Sequence, residues 1–379
     1  MKFKYFTLIF VSILVISVLI SQMIVAELIE KNTPDLFVGI DVAYDDLDAI
    51  KRLVDETSSY TNTFVIGSTG ITYNETKLDE ACQYLYDKGL YFMIYFHLNE
   101  ELLDVQREWV AKSKIRWGER FLGLYAFDEP GGNQLDYRQL RVDYETSENY
   151  TDAANKYVNK LSEILGHIKD CCIESGNLTL FTSDYALYWF DFKASYDVVF
   201  AEFGWNYSRQ LNVALDRGAA LVQNKDWGVM ITWTYTEPPY IESGVELYND
   251  LVLAYQNGAK YILVFDTNKN YTKGILQEEH LEALREFWNY INNNPRDNDF
   301  LGDRVAFVLP NGFGYGFRGP EDKIWGQWES DVFSLEISYH LGYWLEEYGT
   351  KLDIIYDDEL ELNDNYSKYI FWNGTIYIP

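Results

Sequence analysis

Residues 121–130, FLGLYAFDEP, decide how this chain is read. An apolar run with the look of a buried strand stops at two adjacent carboxylates, Asp128 and Glu129. Strands of a parallel sheet covered on both faces read as nearly continuous apolar runs rather than alternating ones. Seven more such runs flank this one: LFVGIDV (36–42), TFVIGS (63–68), LYFMIYFH (90–97), LTLFTS (178–183), DVVFAEF (197–203), WGVMITWTY (227–235) and YILVFDT (261–267). Each leads into a segment with helical spacing, such as LDAIKRLVDE or VELYNDLVLAYQNGA.

Eight strand and helix alternations predict an α/β fold, a (β/α)8 TIM barrel over 36–295, with an open doubly wound sheet as the alternative because a sequence does not state closure. The local chemistry agrees. Ser243 and Glu246 form a capping box for one helix, and Gly89, Gly176 and Gly258 stand where helices need left-handed C-caps. After Pro295 the pattern restarts as RVAFVLP (304–310), a helix near 331–349, KLDIIYDD (351–358) and KYIFWNG, which predicts a small open α/β domain over 303–379. Gly314, Gly316 and Gly319 match G-x-G-x-x-G after a strand, yet Pro320, Glu321 and Asp322 follow where a dinucleotide site needs a helix.

The 379 residues carry 59 acidic and 31 basic groups, a net charge of -28 that repels nucleic acid and anionic lipid. Residues 6–26 are apolar and uncharged, preceded by Lys2 and Lys4. Over 1–30 this predicts an N-terminal hydrophobic helix, either a membrane anchor with the protein body outside or a cleaved signal peptide. N-x-[ST] triplets begin at Asn74, Asn149, Asn177, Asn206, Asn270, Asn365 and Asn373, against about two or three expected by chance, which suits an exported glycoprotein. With Cys82, Cys171 and Cys172 as the cysteines and no C-x-x-C spacing, neither a disulfide scaffold nor a structural metal centre is expected.

At the C-terminal strand ends a barrel gathers its functional residues, here Asp41, Ser68, His97, Asp128, Glu129, Asp184, Glu202, Trp205, Trp233, Tyr235 and Asp266. Carboxylates accept hydrogen bonds from sugar hydroxyls, and Trp and Tyr faces stack on pyranose rings. There is no phosphate cradle, basic cluster or metal-binding H-x-H, so no cofactor or metal is expected and a carbohydrate is the expected partner. Glycosidic cleavage needs two carboxyl groups, one kept protonated and one ionised. Glu129 is the candidate acid, with Asp128 raising its pKa by repulsion and Pro130 restricting its backbone; the plainer alternative is that both acids cap the next loop. The second carboxylate is Glu202, inside the apolar run VVFAEFGW, or Glu237, in ITWTYTEPPY. Asp41, His97, Asp128, Asp184, Trp205, Trp233, Tyr235 and Asp266 form the expected substrate-binding set, Asp41 and Asp184 either by contact or by positioning other side chains.

Asp128-Glu129-Pro130 resembles the Asn-Glu-Pro that ends strand four in retaining (β/α)8 glycoside hydrolases. That resemblance implies an acid/base role for Glu129. It implies a nucleophile after strand seven, hence Glu237, while other barrel glycosidases use strand six, hence Glu202. Asp128 departs from the family's Asn and removes an amide donor. The C-terminal piece looks like a shortened version of the flavodoxin-like domain of some barrel β-galactosidases. The expectation is therefore an extracellular glycoside hydrolase-like enzyme, and its rival is a non-catalytic carbohydrate-binding or cell-surface barrel without a working carboxylate pair.

Overall fold

The computed structural model describes residues 34–97, 104–137, 141, 146–170, 178–296, 303–358, 362 and 365–379. Eight parallel strands close into a barrel in sequence order: β1 (Phe37–Val42), β2 (Thr63–Ile66), β3 (Tyr91–Phe96), β4 (Phe121–Ala126), β5 (Thr179–Asp184), β6 (Val198–Phe203), β7 (Asp226–Ile231) and β8 (Tyr261–Asp266). Pairing of β1 with β8, from Phe37 with Tyr261 through Val42 with Asp266, closes the ring and removes the open-sheet alternative. Around it lie α1 (Leu47–Thr57), α2 (Thr69–Thr72), α3 (Glu75–Asp87), α4 (Asp104–Trp117), α5 (Pro130–Asp136), α6 (Tyr150–Asp170), α7 (Tyr188–Lys193), α8 (Arg209–Val222), α9 (Gly244–Gln256) and α10 (Glu278–Asn293). The Ser243 to Glu246 capping box opens α9 as expected. Gly89 and Gly258 do adopt positive φ, 74° and 90°, after α3 and α9.

Side chains alternate along each strand between the barrel interior and the helical layer. Phe37, Val65, Tyr91, Met93, Tyr125, Phe181, Val198, Phe200, Met230, Tyr261 and Leu263 fill the interior, while their strand neighbours join the larger core under the helices. The interior is a plug of rings: Phe37 stacks on Tyr261 at 4.8 Å, and Phe181 stacks on Phe200 at 5.8 Å. Each fully buried ring contributes on the order of 2 kcal/mol.

β4 breaks the alternation once. Phe92 pairs with Phe121 and Met93 with Gly123, so Leu122 is an extra residue in a bulge, and Gly123 carries the required φ of 152°. Leu122 packs inward, Leu124 outward and Tyr125 inward. Without the bulge the strict two-residue period would turn Tyr125 toward the helices.

After the barrel come β9 (Val305–Leu309), α11 (Val332–Tyr348), β10 (Leu352–Tyr356), β11 (Lys368–Phe371) and β12 (Ile376–Tyr377), in a sheet of order β10-β9-β11-β12. Three strands run parallel and β12 pairs antiparallel to β11. This small separate sheet is what the structure shows of the expected C-terminal domain. It is joined closely to the barrel: Arg217 of α8, 2% exposed, donates to Asp353 of β10 at 2.7 Å, and Arg304 reaches the same carboxylate at 2.9 Å. Leu36–Pro379 form one compact unit.

Among the described residues no helix is long and apolar enough to cross a membrane, and the 6–26 segment lies outside them. So do Gly176, Cys171 and Cys172, while Cys82 is a buried free thiol.

Candidate active site

The acidic turn after β4 is held in an unusual conformation. Phe127 and Glu129 take left-handed φ values of 58° and 50°, which non-glycine residues adopt at a cost of about 1 kcal/mol or more each. Surrounding groups overdetermine the turn. Tyr196 donates its hydroxyl to the Ala126 carbonyl at 2.6 Å, Thr182 donates to that of Phe127 at 2.8 Å, and the Glu129 amide donates to the Ser183 carbonyl at 3.1 Å. Pro130 then starts α5 with Glu129 as its N-cap residue. The two glycines that follow are required by close approach, since a Cβ on Gly131 would lie 2.5 Å from the Ala186 oxygen and one on Gly132 would lie 2.1 Å from the Tyr185 ring. The same strain recurs in the loops after β5 to β8, at Leu187, Trp205, Tyr240 and Tyr271.

These constraints bring Glu129 against Glu202 of β6. The two carboxyls act on each other, the Glu202 charge being the largest cause after burial that raises Glu129, and both are raised above the ordinary carboxyl range. Loss of water, then the charges of Glu202, Asp128 and Asp184, holds Glu129 well above the ordinary carboxyl range. The repulsion from Asp128 expected from the sequence is present, but burial and Glu202 outrank it. Glu202 is 4% exposed, and burial and the Asp128 charge push it up to about 8 against the pull of its hydrogen bonds. Ser183 donates to its Oε1 at 2.8 Å, and Asn212 donates to its backbone carbonyl at 2.7 Å. Tyr125, turned inward by the β4 bulge, donates to Asp128 and lies 2.7 Å from the Ser183 hydroxyl. Asp128 thus faces a tyrosine and a serine, and its carboxyl turns in from an exposed position at the mouth.

Glu237 is not brought to this pair. β7 ends at Ile231 rather than 235, because the backbone leaves the ladder after Thr232 donates to Phe203 and the next loop closes on itself, Thr234 and Tyr235 both donating to the Tyr240 carbonyl. Glu237 sits on that loop with its side chain 68% exposed and paired with Lys269.

The fold has parallels. The chain is similar over 85% of its length to 92% of a GH5_18 protein from Bifidobacterium longum subsp. infantis, with a TM-score of 0.52 and 11% identity. PbGH5A, a glycoside hydrolase family 5 enzyme from Prevotella bryantii B14, aligns over 67% of this chain and 96% of its own with a TM-score of 0.44 and 10% identity. A β-1,4-D-mannanase from Cryptopygus antarcticus aligns over 66% and 89% with a TM-score of 0.41 and 11% identity. No protein-family profile and no curated protein matches the sequence. At 11% identity the likeness to the GH5_18 protein speaks to the barrel alone and leaves chemistry to the site.

The remaining expected residues separate by the face they occupy. Asp41 alternates with Phe37 and points inward, 1% exposed, with Oδ1 lacking a partner; burial, then Asp128 and Asp266, raises its pKa well above the usual range. Asp184 and Asp266 fall on the outward phase and are occupied by backbone. Asp184 accepts from the amides of Gly131, Gly132, Tyr185 and Ala186 at 2.5 to 3.0 Å, and Asp266 accepts from those of Ile275 and Leu276 at 2.6 and 3.1 Å. Their place is to shape the loops that carry Glu129 and Tyr271. His97 is exposed at the end of β3, with Nδ1 3.0 Å from the Tyr95 hydroxyl. Trp205, Trp233 and Tyr235 lie beyond β6 and β7 rather than on a strand, and Trp233 donates to the Thr267 carbonyl at 2.8 Å. Tyr95, Tyr125 and Ser183 are site residues that the sequence reading missed. Among the described residues no group of three or more His, Cys, Asp or Glu is arranged to hold a metal ion.

Proposed function

We propose that the protein hydrolyses glycosidic bonds in the barrel mouth, with Glu129 as general acid/base and Glu202 as the nucleophile. The observation that carries this reading is the convergence of Glu129, in the turn after β4, on the buried Glu202 of β6 at the C-terminal face of the barrel, where the charge of Glu202 raises the pKa of Glu129. Retaining glycosidases hold their carboxyls about 5 Å apart and inverting ones about 6.5–9.5 Å apart, to make room for a water. Carboxyls close enough to act on each other in this way favour the shorter spacing. In the first step Glu129 would give its proton to the leaving oxygen as a carboxylate oxygen of Glu202 bonds to the anomeric carbon. In the second, Glu129 takes a proton from water, whose oxygen bonds to that carbon and releases Glu202. Ser183 orients Glu202, and the strained turn fixes Glu129.

A glycan panel tested with the wild type and with Glu129→Gln decides the matter. Turnover that falls by about 10^3 in the variant, with retained anomeric configuration in the wild-type product, is the expected result. Unchanged turnover removes the mechanism, and glycan binding without any turnover would make the protein a binding barrel. An exported, membrane-anchored setting belongs to the same proposal, resting on residues 6–26 and the excess of N-x-[ST] triplets; N-terminal sequencing of the mature protein tests whether the segment is retained.

A further inference from the structure

The loop between β9 and α11, residues 310–331, carries the Gly314, Gly316 and Gly319 pattern, and its glycines serve packing. A Cβ on Gly314 would lie 2.2 Å from the Trp325 ring, and one on Gly316 would lie 2.3 Å from an Asp322 carboxylate oxygen. Folded this way, the loop sits on the far end of α5, the short helix that Glu129 opens. Gln134, buried in α5, donates to the Trp325 carbonyl at 3.3 Å, and a Cβ on Gly326 would lie 2.4 Å from the Leu135 carbonyl oxygen. Arg318 completes the grip. Its guanidinium donates to Asp136, the last residue of α5, at 2.5 Å, and to the two oxygens of Asp322 at 2.7 and 3.1 Å. Asp136 also accepts from the Tyr185 hydroxyl at 2.7 Å, and the Tyr185 ring is the one that a Cβ on Gly132 would meet at 2.1 Å. After burial and the Asp136 hydrogen bond, the Glu129 charge is the next cause that raises the Tyr185 pKa, which sets this ring beside the acid. Arg318, Asp136 and Tyr185 thus form a chain of contacts from the second sheet to the first turn of α5. An exposed ion pair by itself contributes little, but a guanidinium forked between two carboxylates fixes geometry as well as charge. The left-handed φ of 50° at Glu129 is the kind of strain that persists only where the surroundings hold it.

We infer that Arg318 is a positioning residue for Glu129: through this loop the second sheet clamps α5 and holds the turn of the general acid in place from outside the barrel. The catalytic consequence rests on the glycosidase reading, and the clamp rests on the contacts alone. The test compares Arg318→Met, which keeps the stem and loses the fork, with Arg318→Lys, which keeps the charge, both in the full chain. Two quantities are read: hydrogen exchange of the amides of residues 127–136, and kcat and KM on the glycan of the panel that the wild type cleaves. In Arg318→Met the exchange across 127–136 should quicken by about tenfold or more while that of β7 and β8 stays unchanged. Its kcat should fall by about tenfold with KM within about twofold of the wild type, because a displaced acid costs turnover rather than binding. Arg318→Lys should recover part of both. Asp136→Asn should reproduce the Arg318→Met result, and the double variant should be no worse than either single, since a clamp is lost only once. Unchanged exchange across 127–136 in Arg318→Met overturns the clamp whether or not a glycan is cleaved. Faster exchange with kcat unchanged overturns the positioning role, and a raised KM at constant kcat does so by making Arg318 a substrate contact. Faster exchange in Arg318→Met together with a wild type that cleaves no glycan leaves the clamp standing and defeats the glycosidase reading.

Discussion

Asp184 and Glu202 are buried carboxylates at the ends of adjacent strands, and they have opposite fates. Asp184 is on the outward phase of β5 and accepts from four backbone amides that hold the turn of Glu129, their pull working against burial and the charge of Asp191, which raise its pKa. Glu202 is on the inward phase of β6 and meets one hydroxyl and one carboxyl. A saturated carboxylate builds structure, whereas one left with few donors in a dry place is poised for chemistry. The difference is a matter of strand parity, not of residue type or burial.

The contrast can be broken most directly by Glu202→Gln and Asp184→Asn. We expect Glu202→Gln to lower turnover by about 10^3 or more while leaving the melting temperature unchanged or raised, since it removes a buried ionisable group. Asp184→Asn should do the reverse in kind. One acceptor oxygen becomes a donor facing backbone N–H groups, at a cost of about 2–4 kcal/mol, read as a lower melting temperature. Equal losses of stability in the two variants would erase the distinction.

A finer test uses pH. Glu129 and Glu202 are both raised, Glu202 to about 8, so the native pair holds on to protons that the unfolded chain has released. Stability is then full below the unfolded value, about 4.3, and falls as pH rises toward the folded value of about 8. Glu202→Gln should flatten that fall by up to about 1.4 kcal/mol per pH unit, as seen in denaturant titrations at pH 5 and 8. A slope identical to that of the wild type would mean that proton uptake by the pair does not depend on Glu202. The smallest effect is expected of Tyr125→Phe, which removes the hydroxyl facing Asp128 and Ser183. Turnover should drop by about tenfold, with a shift in the pH profile that a packing defect alone would not cause.

The barrel was legible because strands covered on both faces must be apolar throughout, and eight such runs could be counted. The same property hid the site. When both faces are apolar, the phase of alternation carries no label, and LTLFTSD does not say whether Ser183 or Asp184 enters the barrel. FLGLYAF hides it further, since the bulge at Leu122 and Gly123 resets the phase before Tyr125. Glu129 and Glu202 stood out as candidates because a carboxylate ending an apolar run is conspicuous in itself. Glu237 was set beside them because TWTY reads as a continuing strand, although the chain turns away at Thr232 to pair with the β6 loop.

One junction has a bearing on how the chain comes apart. Asp353 is fully buried between Arg217 of a barrel helix and Arg304 at the start of the second sheet, and Arg217 also donates to Asn257 and to the carbonyls of Thr350 and Leu352. Separating the two parts would strand a buried guanidinium, an outcome costing about 3–5 kcal/mol when one partner is lost. Barrel and sheet are therefore coupled in unfolding: heat should melt them in one cooperative transition, and the seam that looks like a domain boundary in the sequence is a poor place to cut the gene.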